Sequence, residues 1–162
     1  MPEKAGAARE EARAELVRQL QELAKLPMSI EEQLELVSKA YQLKEPALGA
    51  QLIHRIARQL DDPAESAKLF ERAAKEALAS GDYRGSAELY LAARKNSRDP
   101  AQARRHFHAA LRVLQSGNQP LEAIEMGERE IGALADDPGT LLFMTQLARA
   151  AGRPDIADHY IR

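Results

Sequence analysis

Apolar residues recur at helical spacing along most of the chain, and the apolar–polar alternation typical of strands is nearly absent. Near the start, Leu16, Leu20 and Leu23 follow this spacing. Two further sets at the same spacing are Leu34, Val37 and Tyr41, and Leu69, Ala73 and Ala77. The pattern therefore predicts an all-α protein.

The predicted helices are interrupted at regular intervals by the dipeptide Asp-Pro. It occurs at residues 62–63, 99–100 and 137–138, in steps of 37 and 38. Asp is a favourable helix N-cap, and Pro is favourable at the first helical position. Each dipeptide therefore predicts the start of a helix.

Single glycines lie between these starts. Gly81, Gly117 and Gly152 are separated by 36 and 35 residues, and 36 residues before Gly81 lies Glu45, beside Pro46. We expect a tight turn near each of these four positions. Helix, tight turn, helix and looser turn at a period near 36 indicate a solenoid of helical hairpins.

Two segments resemble the tetratricopeptide repeat family, in which bulky and small apolar residues occupy set positions of a helix–turn–helix unit. The first begins at Glu31 and matches at Leu34, Val37, Ser38, Tyr41, Ala50, Ala57 and Pro63. The second begins at Ala67 and matches at Phe70, Ala73, Ala74, Ala77, Gly81, Ser86, Tyr90, Ala93 and Pro100. Weaker matches begin at Ala103 and near Pro138. The resemblance implies a right-handed α-solenoid.

We expect an N-terminal helix in residues 1–29 and four repeats at 30–63, 64–100, 101–138 and 139–162, the last one truncated. The N-terminal helix is interpreted as the second helix of a truncated repeat, with a capping helix as the alternative. Leu16, Leu20 and Leu23 at one end, and Ile156, Tyr160 and Ile161 at the other, are then expected to be partly exposed or covered by another molecule. End-to-end self-association would follow from such exposure.

No catalytic or metal-binding chemistry is predicted. The chain has no Cys, which excludes disulfides, thiolate metal sites and cysteine nucleophiles. His106 and His108 lie two positions apart on a predicted helix and point in different directions, while His54 and His159 are isolated. Solenoid faces are open, whereas an acid–base pair needs a pocket. We therefore expect no enzyme activity, no cofactor and no metal.

Charge is unevenly distributed, although the net charge is only −2. Residues 84–112 carry 7 basic and 2 acidic side chains. Proteins that read single-stranded nucleic acid usually add several stacking aromatic residues, and only Tyr90 and Phe107 lie near this block. A solvated surface, or one that meets an acidic partner, is favoured over nucleic-acid binding.

The resemblance implies a site as well, because the first helices of tetratricopeptide repeats line a concave face that binds protein partners. Arg104 and Phe107 are the strongest individual expectations. The alternative is that such residues are only solvated or are buried against a neighbouring repeat. The residues expected to bind protein are Lys39, Lys68, Glu71, Lys75, Arg104, Phe107, Leu111, Gln146 and Arg149.

The segment LARAAGRPDIADHYIR, residues 147–162, is similar to the periplasmic repeats of the Pel exopolysaccharide export family. This resemblance implies a periplasmic scaffold, part of an outer-membrane secretion system, that docks a polysaccharide-modifying enzyme and contacts charged polysaccharide. The alternative is a cytoplasmic tetratricopeptide adaptor or regulator that binds a peptide or protein.

Overall fold

The computed structural model describes residues 2–161, with side chains from residue 6 onward, and these residues form helices and connecting turns without any β-strand. The prediction of an all-α protein is confirmed. Over this range the α-helices are α1 (Pro2–Ala24), α2 (Ile30–Gln42), α3 (Pro46–Gln59), α4 (Pro63–Ala79), α5 (Tyr83–Asn96), α6 (Pro100–Ser116), α7 (Pro120–Glu130), α8 (Pro138–Ala150) and α9 (Pro154–Ile161). A short 3₁₀ helix, Gly132–Asp136, precedes α8.

The chain divides into two compact units, the first ending at Asp61 and the second beginning at Asp62. In the first unit α2 packs against both α1 and α3. In the second unit each helix from α4 to α9 packs against the next one along the chain, and α6 also contacts α8. Within residues 2–161, no helix is both long enough and apolar enough to cross a membrane.

The Asp-Pro dipeptides begin helices α4, α6 and α8, as predicted. The carboxylate of each Asp accepts a hydrogen bond from a backbone N–H in the first turn, and Pro occupies the first turn. These bonds satisfy N–H groups that have no partner within the helix. The donors are Ala64 for Asp62 at 3.0 Å, Ala101 for Asp99 at 3.0 Å and Thr140 for Asp137 at 2.8 Å.

One residue with positive φ closes each of four helical hairpins. These left-handed residues are Lys44 (φ 60°), Gly81 (83°), Asn118 (60°) and Gly152 (72°). In every turn the next residue donates its N–H to the carbonyl five positions back, which is the defining bond of a Schellman motif. The four bonds are Glu45 to Ala40, Asp82 to Ala77, Gln119 to Leu114 and Arg153 to Ala148, at 2.8–2.9 Å.

The third turn differs from the sequence prediction by one residue. The left-handed residue is Asn118, whereas Gly117 has φ −80° and forms the C-cap of α6. Asn tolerates the left-handed region better than most residues, so glycine is not required there. Gly117 is small for another reason: a Cβ on it would approach the ring of Tyr83 to 2.6 Å. The four left-handed residues are therefore spaced by 37, 37 and 34 positions.

Each second helix buries one small residue five positions after its left-handed residue. These residues are Gly49, Ser86, Ala123 and Ala157. The expectation that Ala50 holds this position is wrong, because Ala50 is exposed and Gly49 is buried. A Cβ on Gly49 would approach the Tyr41 ring to 2.5 Å, so this position accepts only a residue without a side chain. Small residues here let the two helices of a hairpin lie close together.

The expected exposure of apolar residues at the two ends is only partly confirmed. Leu16 and Leu23 are 51% and 45% exposed, and Ile161 is 58% exposed. Leu20 is 4% exposed, so the expectation is wrong for this residue. Leu16, Leu20 and Leu23 share one side of α1, and Leu20 is the one of the three that is covered.

We expect Gly81→Ala to lower the free energy of unfolding by about 1 kcal/mol, because a Cβ is unfavourable at this positive φ. Gly139→Ala is the matched control, since Gly139 lies in the first turn of α8 and an added Cβ meets nothing nearer than the Asp137 carboxylate at 3.5 Å. Urea denaturation should show the control to be neutral or slightly stabilising. Equal effects of the two substitutions would contradict the role given to the left-handed turn.

Candidate protein-binding surface

A set of exposed positions recurs on the first helices of the second unit. On α4, α6 and α8 this set comprises the residues that lie 13, 10, 6, 3 and 2 positions before the left-handed residue of the hairpin. We call this set the first-helix face. Its members are Lys68, Glu71, Lys75, Leu78 and Ala79 on α4, Arg105, His108, Arg112, Gln115 and Ser116 on α6, and Gly139, Leu142, Gln146, Arg149 and Ala150 on α8. All of them are exposed or half-buried.

Several residues expected to bind protein lie on this face, namely Lys68, Glu71, Lys75, Gln146 and Arg149. Arg104 is exposed but lies one position outside the set. Its guanidinium is 3.3 Å from an Asp137 carboxylate oxygen. Lys39 is exposed on α2 of the first unit. Lys39 and Lys75 are not equivalent positions, because they precede their left-handed residues by five and six positions.

The expectations for Phe107 and Leu111 are wrong. Both side chains are 0% exposed and belong to the core of the second unit. The error follows from the third turn: counting from Gly117 instead of Asn118 shifts every position on α6 by one residue. The prediction therefore named the buried residues Phe107 and Leu111 in place of their less buried neighbours on α6.

Because of the same shift, the prediction did not include Arg105, His108 and Arg112 of the face. A signal for them exists in the sequence. Phe70 and Phe107 are 37 residues apart, the same step that separates Asp62 from Asp99. If the two repeats are aligned on those two pairs, and Asn118 is taken as the turn residue, the two phenylalanines fall at equivalent buried positions.

Charged and aromatic side chains meet where α4 approaches α6. Glu71 lies 3.5 Å from the Lys75 ammonium, and the ring of His106 stacks on Tyr90 with centroids 6.4 Å apart. Burial lowers the pKa of His106; the charge of Glu71 opposes this shift, and those of Arg105 and Lys75 add to it. Burial, together with Glu71, raises the pKa of Tyr90.

A hydrogen-bonded chain joins α6 to the start of α8. The Thr140 hydroxyl donates to an Asp137 oxygen at 2.8 Å and lies 2.9 Å from His108 Nε2. Because the hydroxyl proton is directed to Asp137, the hydroxyl accepts the N–H of His108. The two bonds from Thr140 hold the pKa of Asp137 below its ordinary value, and Arg104 acts in the same direction.

Phe143 on α8 completes this junction. The His108 ring stacks on it with centroids 4.7 Å apart and planes 11° apart, and the Arg112 guanidinium lies 5.2 Å from the ring centre. Burial is the main cause that lowers the pKa of His108, while the charges of Arg112 and Arg104 add to it and Asp137 opposes it. The neutral imidazole is therefore favoured.

This arrangement does not activate a nucleophile. A catalytic base accepts the proton of the hydroxyl that it activates, whereas His108 donates to Thr140 and the hydroxyl proton is held by Asp137. The chain of bonds caps α8 and fixes α6 against it. In the described part of the chain no group of three or more His, Asp or Glu side chains could hold a metal ion.

One residue of the basic block has a structural role. Arg94 donates to the carbonyls of Glu130 and Ile131, the latter at 2.7 Å, and its guanidinium lies 4.7 Å from the centre of the Phe107 ring. It thereby holds the C-terminal end of α7 against α5. Burial lowers the pKa of Arg94, and Glu130 opposes that shift. Arg94 is therefore not part of the first-helix face.

Comparison with protein-family models, curated proteins and solved structures finds no match for this chain.

We expect Phe107→Ala to lower the free energy of unfolding by about 3–5 kcal/mol, as for other buried aromatic residues. Arg105→Ala, two positions earlier on the same helix, should change it by less than about 0.5 kcal/mol. Chemical denaturation of the two variants measures this difference. Similar stability of both variants would show that Phe107 is not part of the core.

We also expect the protein to lose stability as the pH falls below about 6.5, the ordinary pKa of histidine. The pKa values of His106 and His108 are lowered in the folded state, so the unfolded chain takes up protons first and is favoured as the pH falls. Denaturation between about pH 8 and pH 5.5 measures the slope. His106→Leu combined with His108→Gln should flatten it.

Proposed function

We propose that the chain is a non-catalytic protein-binding module of tetratricopeptide-like hairpins, and that the first-helix face is its binding surface. One observation carries the proposal: four hairpins close with the same left-handed turn and the same hydrogen bond from an N–H to the carbonyl five positions earlier. Repeated hairpins of this kind stack into a right-handed solenoid in the family that the sequence resembles.

Within each hairpin some positions are determined by packing and others are not, and this difference supports a binding role. Phe70 and Phe107, the second 37 positions after the first, are both fully buried, so packing determines these residues. The residues of the first-helix face contribute little to this core, and they vary in charge and size from helix to helix. Positions that packing does not constrain, carried side by side on successive helices, are suited to recognising another protein.

The finer proposal is a periplasmic scaffold of an exopolysaccharide export system that docks a polysaccharide-modifying enzyme. Its support is the similarity of residues 147–162. Much of that segment is structural, because Leu147, Ala148 and Ala157 are buried and Gly152 closes the last turn. Arg149 and Arg153 are among the exposed residues of this segment that a partner could contact. A cytoplasmic adaptor is the alternative location for the same module.

Photocrosslinking tests the module without reference to charge. A photoreactive phenylalanine analogue replaces Gln115 or Gln146 on the first-helix face, and Glu125 or Asp158 on the second helices serves as the matched control, since all four are exposed. In cells of the source organism, the face positions should form a protein adduct of defined mass and the controls should not. The absence of any adduct from the face positions would contradict the proposal, and a cytosolic instead of a periplasmic partner would favour the adaptor.

A further inference from the structure

The charges on the first-helix face are mostly of one sign. Its only acidic residue is Glu71, which already pairs with Lys75 at 3.5 Å. The cationic residues are Lys68, Lys75, Arg105, Arg112 and Arg149. Between residues 6 and 161, Lys68, Arg105 and Arg149 take part in no ion pair.

Three arginines on or just before the second helices of the same unit differ in this respect, although Lys95 on α5 is also without an ion pair among the described residues. Arg84 pairs with Glu88 at 3.3 Å and with Glu122 at 3.4 Å. Arg129 and Arg153 pair with an acidic residue one and two positions later in the chain. Acidic side chains thus pair with these three arginines, whereas three of the five cations of the first-helix face have no counter-charge among the described residues.

The cations of neighbouring helices lie close enough to act together. Lys75 on α4 and Arg105 on α6 are both near enough to His106 for their charges to lower its pKa. Arg112 is held over Phe143 of α8. A ligand on this face would therefore meet positive charge from α4 and α6 at once, and next to Arg112 it would meet the aromatic ring of Phe143 on α8.

Apolar groups accompany these charges. Leu142 is 60% exposed, and Leu78 and Phe143 are half-buried. A uniform polyanion would gain nothing from such groups, whereas a peptide with both carboxylates and apolar side chains would bury them. Arginine binds carboxylates through two parallel hydrogen bonds, which suits Asp and Glu side chains.

We propose that the first-helix face binds an acidic segment of a partner protein, in which Asp or Glu residues are interspersed with apolar ones. This inference rests on the proposed function and specifies the chemistry of its partner. Recognition by exposed cations should be sensitive to salt, because such charges are screened beyond about 8–10 Å at moderate ionic strength.

Fluorescence anisotropy with a labelled synthetic peptide of Glu, Leu and Gly tests the inference. Arg105→Glu combined with Arg112→Glu should weaken binding by about tenfold or more. The matched control is Lys95→Glu combined with Arg98→Glu, which changes the net charge equally at exposed positions outside the face. It should retain binding. A peptide with Lys in place of Glu should not bind, and circular dichroism verifies that all variants are folded.

Any of four results would overturn the inference. Equal loss in the two double variants would show that only net charge matters. Equally tight binding of dextran sulfate, with the same sensitivity to variants, would indicate a general polyanion surface. Self-association that is abolished only by the face variant would identify a second copy of the chain as the occupant. If crosslinking at Gln115 and Gln146 survives the face variant, the inference fails while the proposed binding module stands.

Discussion

The left-handed residue at the end of each first helix determines how the rest of each hairpin is arranged. It directs the next N–H back to a carbonyl of the helix that is ending, and the second helix begins immediately afterwards. This sets which residues of the second helix face the first, beginning with the small residue five positions later. At Ser86 the hydroxyl donates to the carbonyl of Ala74 at 2.7 Å, so even a polar residue is satisfied at this buried position. Close approach of the two helices, and the core between them, depends on this turn.

Much of the fold could be predicted from local signals. The Asp-Pro starts were correct because an Asp cap and a Pro in the first turn act within a few residues. Two of the four turn residues were found because they are glycines. The other two turns were located near Glu45 and Gly117, one residue from the left-handed Lys44 and Asn118. A residue with a side chain gives no comparable signal, although it can adopt positive φ where the hydrogen bonds of the turn compensate.

The error of one residue in α6 shows why the site was harder to predict than the fold. A helix turns by about 100° per residue, so one step exchanges the core position Phe107 for the surface position His108. Whether α6 is a helix does not depend on that step, but which of its residues a partner could contact does. The stacking of His108 on Phe143 could not be predicted either, because it joins residues far apart in sequence.

The distribution of charge follows from the same geometry. Asp137 caps α8, and its carboxylate, which also accepts the Thr140 hydroxyl, reaches Arg104 from that position. Asp137 is thereby used for capping and for pairing with a residue outside the first-helix face. Arg105, one position further along α6, has no ion-pair partner among the described residues and points to a different side of the helix. A structural requirement at the start of α8 thus leaves the adjacent face positive, and this positive charge is what a protein partner with exposed carboxylates would meet.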